Sequence, residues 1–265
     1  MIYVCIPSYN EAPTVGLLLW KLRRILGESS REYEMLVLDD ASADHTAEVL
    51  EPYTKVLPLT VVRHAVRQGY GRSVEELLRL AVERTDRPKR DCAIILHADF
   101  THAVESVPEL IKRIESGADV VIGEATVQGE PSRAARWLRR GAPYLLRGVR
   151  IPGVRDIVSG FGAIRLVSLR NAFRAYPGQL LTTDGWAANA ELFGRAAQHA
   201  RRVDTVPVVE RHDLRQRPSR LEPWPQCQAL WRYGRRLRIQ SESRRDAEAP
   251  ARRAGEAPAL EEAAR

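Results

Sequence analysis

Residues 92–102 read CAIILHADFTH. The apolar run from Cys92 to Leu96 stops at His97, and Asp99 follows two positions later. A short, continuous apolar run without helical spacing reads as a strand buried on both faces. His97 and Asp99 then stand where that strand runs out, either as a metal-binding pair or as an ordinary loop. The flanking sequence has to decide.

Working outward, the same kind of run recurs upstream as IYVCIP (2–7), MLVLDD (35–40) and LTVVRH (59–64), and downstream as DVVIGEA (119–125). The fourth strand is expected over 92–99. Amphipathic segments alternate with these runs. TVGLLLWKLRRIL (14–26) sets Val15, Leu18, Leu19, Leu22 and Leu26 on one helical face, and SVEELLRLAVER (73–84) does the same with Leu77, Leu78, Ala81 and Val82. DHTAEVLEPY (44–53) and SVPELIKRIES (106–116) read as two further helices. A β-α-β-α order of this kind predicts an α/β fold, a mainly parallel sheet with helices on both faces. Ligands of such sheets sit beyond the carboxyl ends of the strands. The residues at those ends are Pro7-Ser8-Tyr9-Asn10-Glu11, Asp39-Asp40, Arg63-His64 and His97-Ala98-Asp99. Four polar clusters gather at one edge, as a site requires.

Charge divides the chain more sharply than its total of +7 suggests. Residues 1–130 carry 15 Lys/Arg against 21 Asp/Glu, and residues 131–240 carry 21 against 7. An Arg-rich second half points to phosphates: nucleic acid, anionic lipid or a phosphorylated substrate. Within it, SRAARWLRRGAPYLLRGVR (132–150) has six Arg and no acid, interleaved with Trp137, Leu138, Tyr144, Leu145 and Leu146. WPQCQALWRYGRRLR (224–238) repeats the theme with Trp224, Trp231 and Tyr233 among Arg232, Arg235, Arg236 and Arg238. Both suit a membrane interface, a groove for an anionic partner, or a surface helix packed on the domain. No nucleic-acid-binding module is recognisable, so no nucleic-acid partner is expected. The expected organisation is a domain over 1–222, a basic aromatic segment over 223–240, and a disordered or weakly helical tail over 241–265.

The N-terminal MIYVCIPSYN lacks the basic region and cleavage site of a signal peptide, and no apolar stretch approaches the ~18 residues that span a bilayer. The expectation is a cytoplasmic chain, peripheral on the membrane face if it meets the membrane at all. Cys5, Cys92 and Cys227 are odd in number and far apart, which predicts reduced thiols and neither a disulfide framework nor a zinc site.

IPSYNE (6–11), VLDDASADHT (37–46), ADF (98–100) and VSGFGAIR (158–165) resemble, in order and spacing, the family 2 glycosyltransferases of the GT-A fold. Within them the resemblance is to dolichol-phosphate and polyprenyl-phosphate mannose synthases, over residues 2 to about 222. It implies an inverting transfer of mannose or glucose from a GDP-mannose- or UDP-glucose-type donor to a lipid phosphate. It also implies nucleotide-sugar contacts at Pro7, Tyr9, Glu11, Asp39, Asp40, Gln68 and Ala98, the last from the strand-end triplet. Asp99 matches the final acid of the family's Asp-x-Asp, through which Mg²⁺ or Mn²⁺ bridges the diphosphate. Asp156 and Ser159 match the acceptor side, and Arg215 and Arg220 the loop over the phosphates.

A departing diphosphate needs electrostatic stabilisation, and a phosphate acceptor is already ionised at neutral pH, so Arg docking replaces a strong base. Two departures stand out: His97 replaces the first acid of Asp-x-Asp, and Gly123-Glu124-Ala125 lacks the Arg found after the family's fifth strand. His97 then reads as a ligand favouring Mn²⁺, as a donor to a phosphate oxygen, or as a structural residue. Transfer to a soluble acceptor, and a silent nucleotide-sugar binder, are the rival readings.

Overall fold

The computed structural model describes residues 1–128, 133–211 and 223–240. The strands are β1 (Ile2–Ser8), β2 (Tyr33–Asp39), β3 (Leu59–Arg63), β4 (Cys92–Ile95), β5 (Val120–Gln128), β6 (Val149–Arg150), β7 (Gly162–Arg165), β8 (Val203–Arg211) and β9 (Ile239–Gln240). The α-helices are α1 (Ala12–Gly27), α2 (Thr46–Leu50), α3 (Tyr70–Arg84), α4 (Val107–Glu115), α5 (Arg133–Leu145), α6 (Leu166–Ala175), α7 (Gly185–Gln198) and α8 (Pro223–Arg236).

β1 is buried along its whole length, and its side chains alternate between two cores. Ile2, Val4 and Ile6 pack with Leu18, Leu19 and Leu22 of α1, while Tyr3 and Cys5 pack with Val74, Leu77 and Leu78 of α3. Because side chains alternate along a strand, a slip of one residue would exchange the two faces, so burial on both sides fixes the register. The helices therefore do cover both faces. A third cluster, with Leu138, Ala142 and Leu146 beside Leu230, Leu237 and Ile239, packs α8 against α5 and the small β6–β9 pair, so residues 223–240 fold back onto the body.

The main sheet runs β3-β2-β1-β4-β7-β5-β8, with every pairing parallel except the two made by β7. β7 separates β4 from β5, although these follow one another among the strands read from the sequence. Other differences have local causes. The strand expected over 92–99 ends at Ile95, opposite Gly162, where β7 begins. The helix expected over 44–53 breaks after Leu50, because Pro52 opens a 3₁₀ turn over Glu51–Lys55. α3 begins a turn earlier than expected, at Tyr70, after Gly69 with φ of 96°. Cys5 and Cys92 are buried, and burial pushes both thiols up, Cys92 to about 11, which leaves them unreactive.

β7 fits between two strands because its first residue lacks a side chain. A Cβ on Gly162 would lie 2.5 Å from the Val121 carbonyl oxygen and 2.7 Å from Phe193 Cζ. Gly162→Ala is accordingly expected to destabilise the fold by about 1–3 kcal/mol, read as a lower urea midpoint at unchanged m-value.

Candidate active site

Three neighbouring strands leave the sheet through residues with left-handed backbone: Asn10 (φ 51°) after β1, Ala41 (φ 55°) after β2 and Phe100 (φ 57°) after β4. Asn adopts this conformation readily, but Ala and Phe do so at a cost that surrounding bonds must offset. The bonds are present. Asn10 N–H donates to Ser42 Oγ (2.8 Å), Ala43 N–H donates to Asn10 Oδ1 (2.8 Å), and Ser42 N–H donates to Asp39 Oδ1 (3.0 Å). Glu11 N–H donates to Thr46 Oγ1, and the buried Glu11 carboxylate accepts from Thr14 Oγ1. Pro7 closes the strand beside them, and the Arg67 guanidinium lies 4.1 Å over the Tyr9 ring.

Asp39 and Asp40 are both buried, and Arg63 Nε lies 3.2 Å from Asp39 Oδ2. Asp40 is committed to the protein. Its Oδ1 accepts from Gln68 N–H and bonds His64 Nδ1, both at 2.7 Å, and its Oδ2 accepts from Gly69 N–H at 2.8 Å. His64 Nε2 also meets Glu76 at 3.1 Å. Burial alone would lower the His64 pKa, but its bonds to Asp40 and Glu76 raise it above the ordinary imidazole value. The loop continues into α3, whose Gly71 N–H donates to Asp184 Oδ1, the N-cap of α7 (2.8 Å).

His97 and Asp99 follow β4. Asp99 is buried, and its Oδ1 accepts from both the N–H and the hydroxyl of Thr101, which orients the carboxylate. The His97 ring stacks on Tyr70, with centroids 5.1 Å apart and planes 4° from parallel. Asn189 Nδ2 donates to the Val158 carbonyl (3.0 Å), so its Oδ1 is the atom that accepts from the Tyr70 hydroxyl (2.7 Å). Burial, helped by the negative charges of Asp184 and Asp99, pushes the phenol up, so it keeps its one proton and gives it to Asn189. His97 Nε2 lies 3.4 Å from the same phenol oxygen. Gly160 makes room for this ring, since a Cβ there would lie 2.1 Å from His97 Nε2.

Below this layer, Arg139 of α5 reaches inward and pairs with both Asp156 and Glu210. Burial opposes its charge, but the two carboxylates outweigh burial and hold the guanidinium well above its usual value. Asp156 also accepts from Ala125 N–H (3.3 Å), and Glu124 accepts from Arg155 N–H (2.7 Å), so the Gly-Glu-Ala turn is tied to the 155–156 loop. Ser159 is buried, with its hydroxyl bonded to the backbone of Phe161. The buried His102 ring lies between His97 and Phe161, 3.4 Å from Glu210. Ala98 packs its methyl into the core, so contacts beyond the sheet come from its backbone. Arg215 and Arg220 lie outside the described residues.

Asp99 offers a hard carboxylate and His97 an imidazole, and among the described residues no group of three His, Cys, Asp or Glu gathers that could hold a metal. Two such groups alone do not close a structural metal site, so an ion held there would complete its coordination from outside the protein.

The model of "Glycosyl transferase family 2" matches residues 3–173. The chain belongs to glycosyl transferase family 2. It is 30% identical over 171 residues to a dolichol-phosphate mannosyltransferase of Pyrococcus furiosus, covering 61% of this chain and 45% of that protein. It is 28% identical to an undecaprenyl-phosphate mannosyltransferase of Micrococcus luteus, covering 77% of this chain and 81% of the relative. The chain thus spans under half of the first relative and most of the second. Among solved structures, glucosyl-3-phosphoglycerate synthase of Mycobacterium tuberculosis, with Mn²⁺ and uridine-diphosphate-glucose, shares the fold at a TM-score of 0.58 and 20% identity, over 88% of this chain and 75% of that one. S. aureus TarS does so at 0.53 and 16%, over 80% and 59%.

Within this family 2 domain, sequence reasoning missed Tyr70, Asn189, Asp184 and His102, and it grouped Arg139 with Arg136 and Arg140 on a membrane-facing side, whereas Arg139 turns inward to Asp156 and Glu210. Only the HADFTH spacing, with a second His five residues after the first, hinted at His102.

His64 should contribute stability in full below ~6.5 and lose it as pH rises through its raised folded value. In His64→Gln the pH dependence of the urea midpoint in that window should flatten.

Proposed function

We propose that this domain moves a hexose, mannose or glucose, from a nucleotide-diphosphate sugar to a polyprenyl or dolichyl phosphate with inversion at the anomeric carbon. The observation that carries the reading is the convergence of three exit loops, each with a left-handed residue, on one edge with Asp99 among them. The names of the relatives, which act on dolichol phosphate or undecaprenyl phosphate, support the lipid acceptor. The cytoplasmic location remains part of this proposal; among the described residues, no helix is long and apolar enough to cross a membrane.

The nucleoside lies against Tyr9, where the Arg67 guanidinium stacks, and beside Glu11 and Asp39. Asp40 acts from behind, holding the Gln68–Gly69 backbone in place. Asp99 and His97 would hold a divalent ion, Mn²⁺ or Mg²⁺, which would neutralise charge building on the departing diphosphate. The acceptor phosphate brings its own ionised oxygen, so the chain has to position it more than activate it. Ser159 and Asp156 shape the acceptor side. Asp156, neutralised by Arg139, works by holding the Glu124–Ala125 turn rather than as a base. Arg215 and Arg220 belong to the proposed diphosphate contacts.

The test is nucleoside diphosphate release from GDP-mannose and UDP-glucose, with and without a short-chain prenyl phosphate, in Mn²⁺, Mg²⁺ or chelator. Release that requires the prenyl phosphate is the expected result, and Asp99→Asn should lower kcat about 10²- to 10³-fold. Release with soluble acceptors alone, or nucleotide binding without release, would overturn the reading.

A further inference from the structure

The α5–α8 pair carries four of the five exposed large aromatic side chains among the described residues, the other being Trp20 of α1. Trp137 and Tyr144 of α5 are 72% and 82% exposed, and Trp224 and Trp231 of α8 are 72% and 55% exposed. Each pair is seven residues apart, about 10 Å or two turns along its helix, so each helix carries its aromatics on one side. Neither helix contains an acidic residue, and Arg136, Arg140, Arg232, Arg235 and Arg236 are all exposed between the aromatics. The Arg235 guanidinium lies 4.8 Å over the Trp231 ring, and exposed aromatics grouped on adjoining helices mark an interaction surface where scattered single ones do not.

The two helices are locked together from the inner side. A Cβ on Gly234 would lie 1.8 Å from the Leu145 carbonyl oxygen, and one on Gly148 would lie 2.0 Å from that of Leu237. Leu138, Ala142 and Leu146 of one partner and Leu230 and Leu237 of the other fill the space beneath. The same helices wall the candidate site, since Arg139 points inward to Asp156 and Glu210, and Gln226 lies beside Gly185, next to the N-cap Asp184.

We propose that this outer side of α5–α8 is a docking surface for an anionic lipid bilayer, with Trp137, Tyr144, Trp224 and Trp231 entering the headgroup region and the exposed Arg residues pairing with lipid phosphates. The inference deepens the lipid-acceptor reading and rests on it. Rings with an apolar body and a polar tip settle at a membrane interface, and nearby Arg adds attraction to anionic headgroups. Charge chooses the occupant. A second copy of the chain would bring one acid-free Arg surface against another, whereas an anionic bilayer complements it. Because the inner side of these helices walls the site, docking also brings the lipid surface to the acceptor side.

Sedimentation with vesicles tests this. The full chain should pellet with phosphatidylcholine vesicles that contain phosphatidylglycerol, remain in solution with pure phosphatidylcholine, and be released by salt. Arg136→Glu, Arg140→Glu and Arg235→Glu combined should weaken partitioning on the order of 100-fold, because each basic residue near an anionic surface contributes about 1 kcal/mol. Replacing Trp137, Trp224 and Trp231 by Ser should remove quenching by brominated lipid. All six side chains are exposed, and an unchanged thermal melt would verify that the variants fold. Equal binding to neutral vesicles, unchanged partitioning of the charge-reversed form, or a dimer that shields the tryptophans and ignores vesicles would each overturn the proposal. A short-chain, water-soluble prenyl phosphate separates it from the acceptor reading. Transfer to that acceptor should survive charge reversal, whereas vesicle binding without any transfer would sink the acceptor reading and leave the docking surface standing.

Discussion

The buried carboxylate of Asp40 accepts bonds from the Gln68 and Gly69 backbone and pairs with His64, so the exits of β2 and β3 and the entry to α3 are fixed by one side chain. A carboxylate is suited to this, since it accepts several bonds at once and each is stronger for being charge-assisted. Much follows from it. With Gly69 held by Asp40 and Gly71 by Asp184, Tyr70 starts α3 beside His97, and its hydroxyl reaches Asn189. The His97 ring thus stacks on a residue whose place is set by carboxylates on either side of it in the chain.

The parallel architecture was legible because both signals that define it are local. The β-branched runs and the spacing of Leu18, Leu19 and Leu22 each fall within one element, and Asp39, Asp40 and Asp99 lie at or within four residues of their strand ends. β7 was not legible. It is four residues long, starts with a glycine and pairs antiparallel with β4 and β5, so no periodicity marks it. Tyr70 and Asn189 were missed for a related reason: they lie 119 positions apart, and nothing local in either segment implies the other. His97 and Asp99 drew attention by their position after a strand, and Asp99 also by its match to the last acid of the family's Asp-x-Asp.

The basic second half divides in two once side chains are followed. Arg139, Arg165 and Arg195 are largely buried and turned inward; Arg165 donates to the Ile114 and Ala118 carbonyls and pairs with Asp119, and Arg195 pairs with Glu191. These guanidiniums are internal fasteners, for which a rigid planar donor is well suited. The remaining exposed Arg on α5 and α8 are the ones that give the surface its character. Net charge counted from the sequence joins two populations with different physical roles.

β7 has a consequence for how the chain is made. Residues up to Ile95 complete the group β3-β2-β1-β4, but the outer side of β4 has no partner until residues 162–165 leave the ribosome. β5 cannot substitute, because its neighbours are β7 and β8. For roughly 70 residues of synthesis, some seconds at ~5–20 residues per second, an apolar strand edge of Cys92–Ile95 waits uncovered, the kind of edge that recruits other chains. That interval coincides with the making of α4, β5 and α5, so the central strand of the sheet is closed on its second side only after the elements that flank it in sequence.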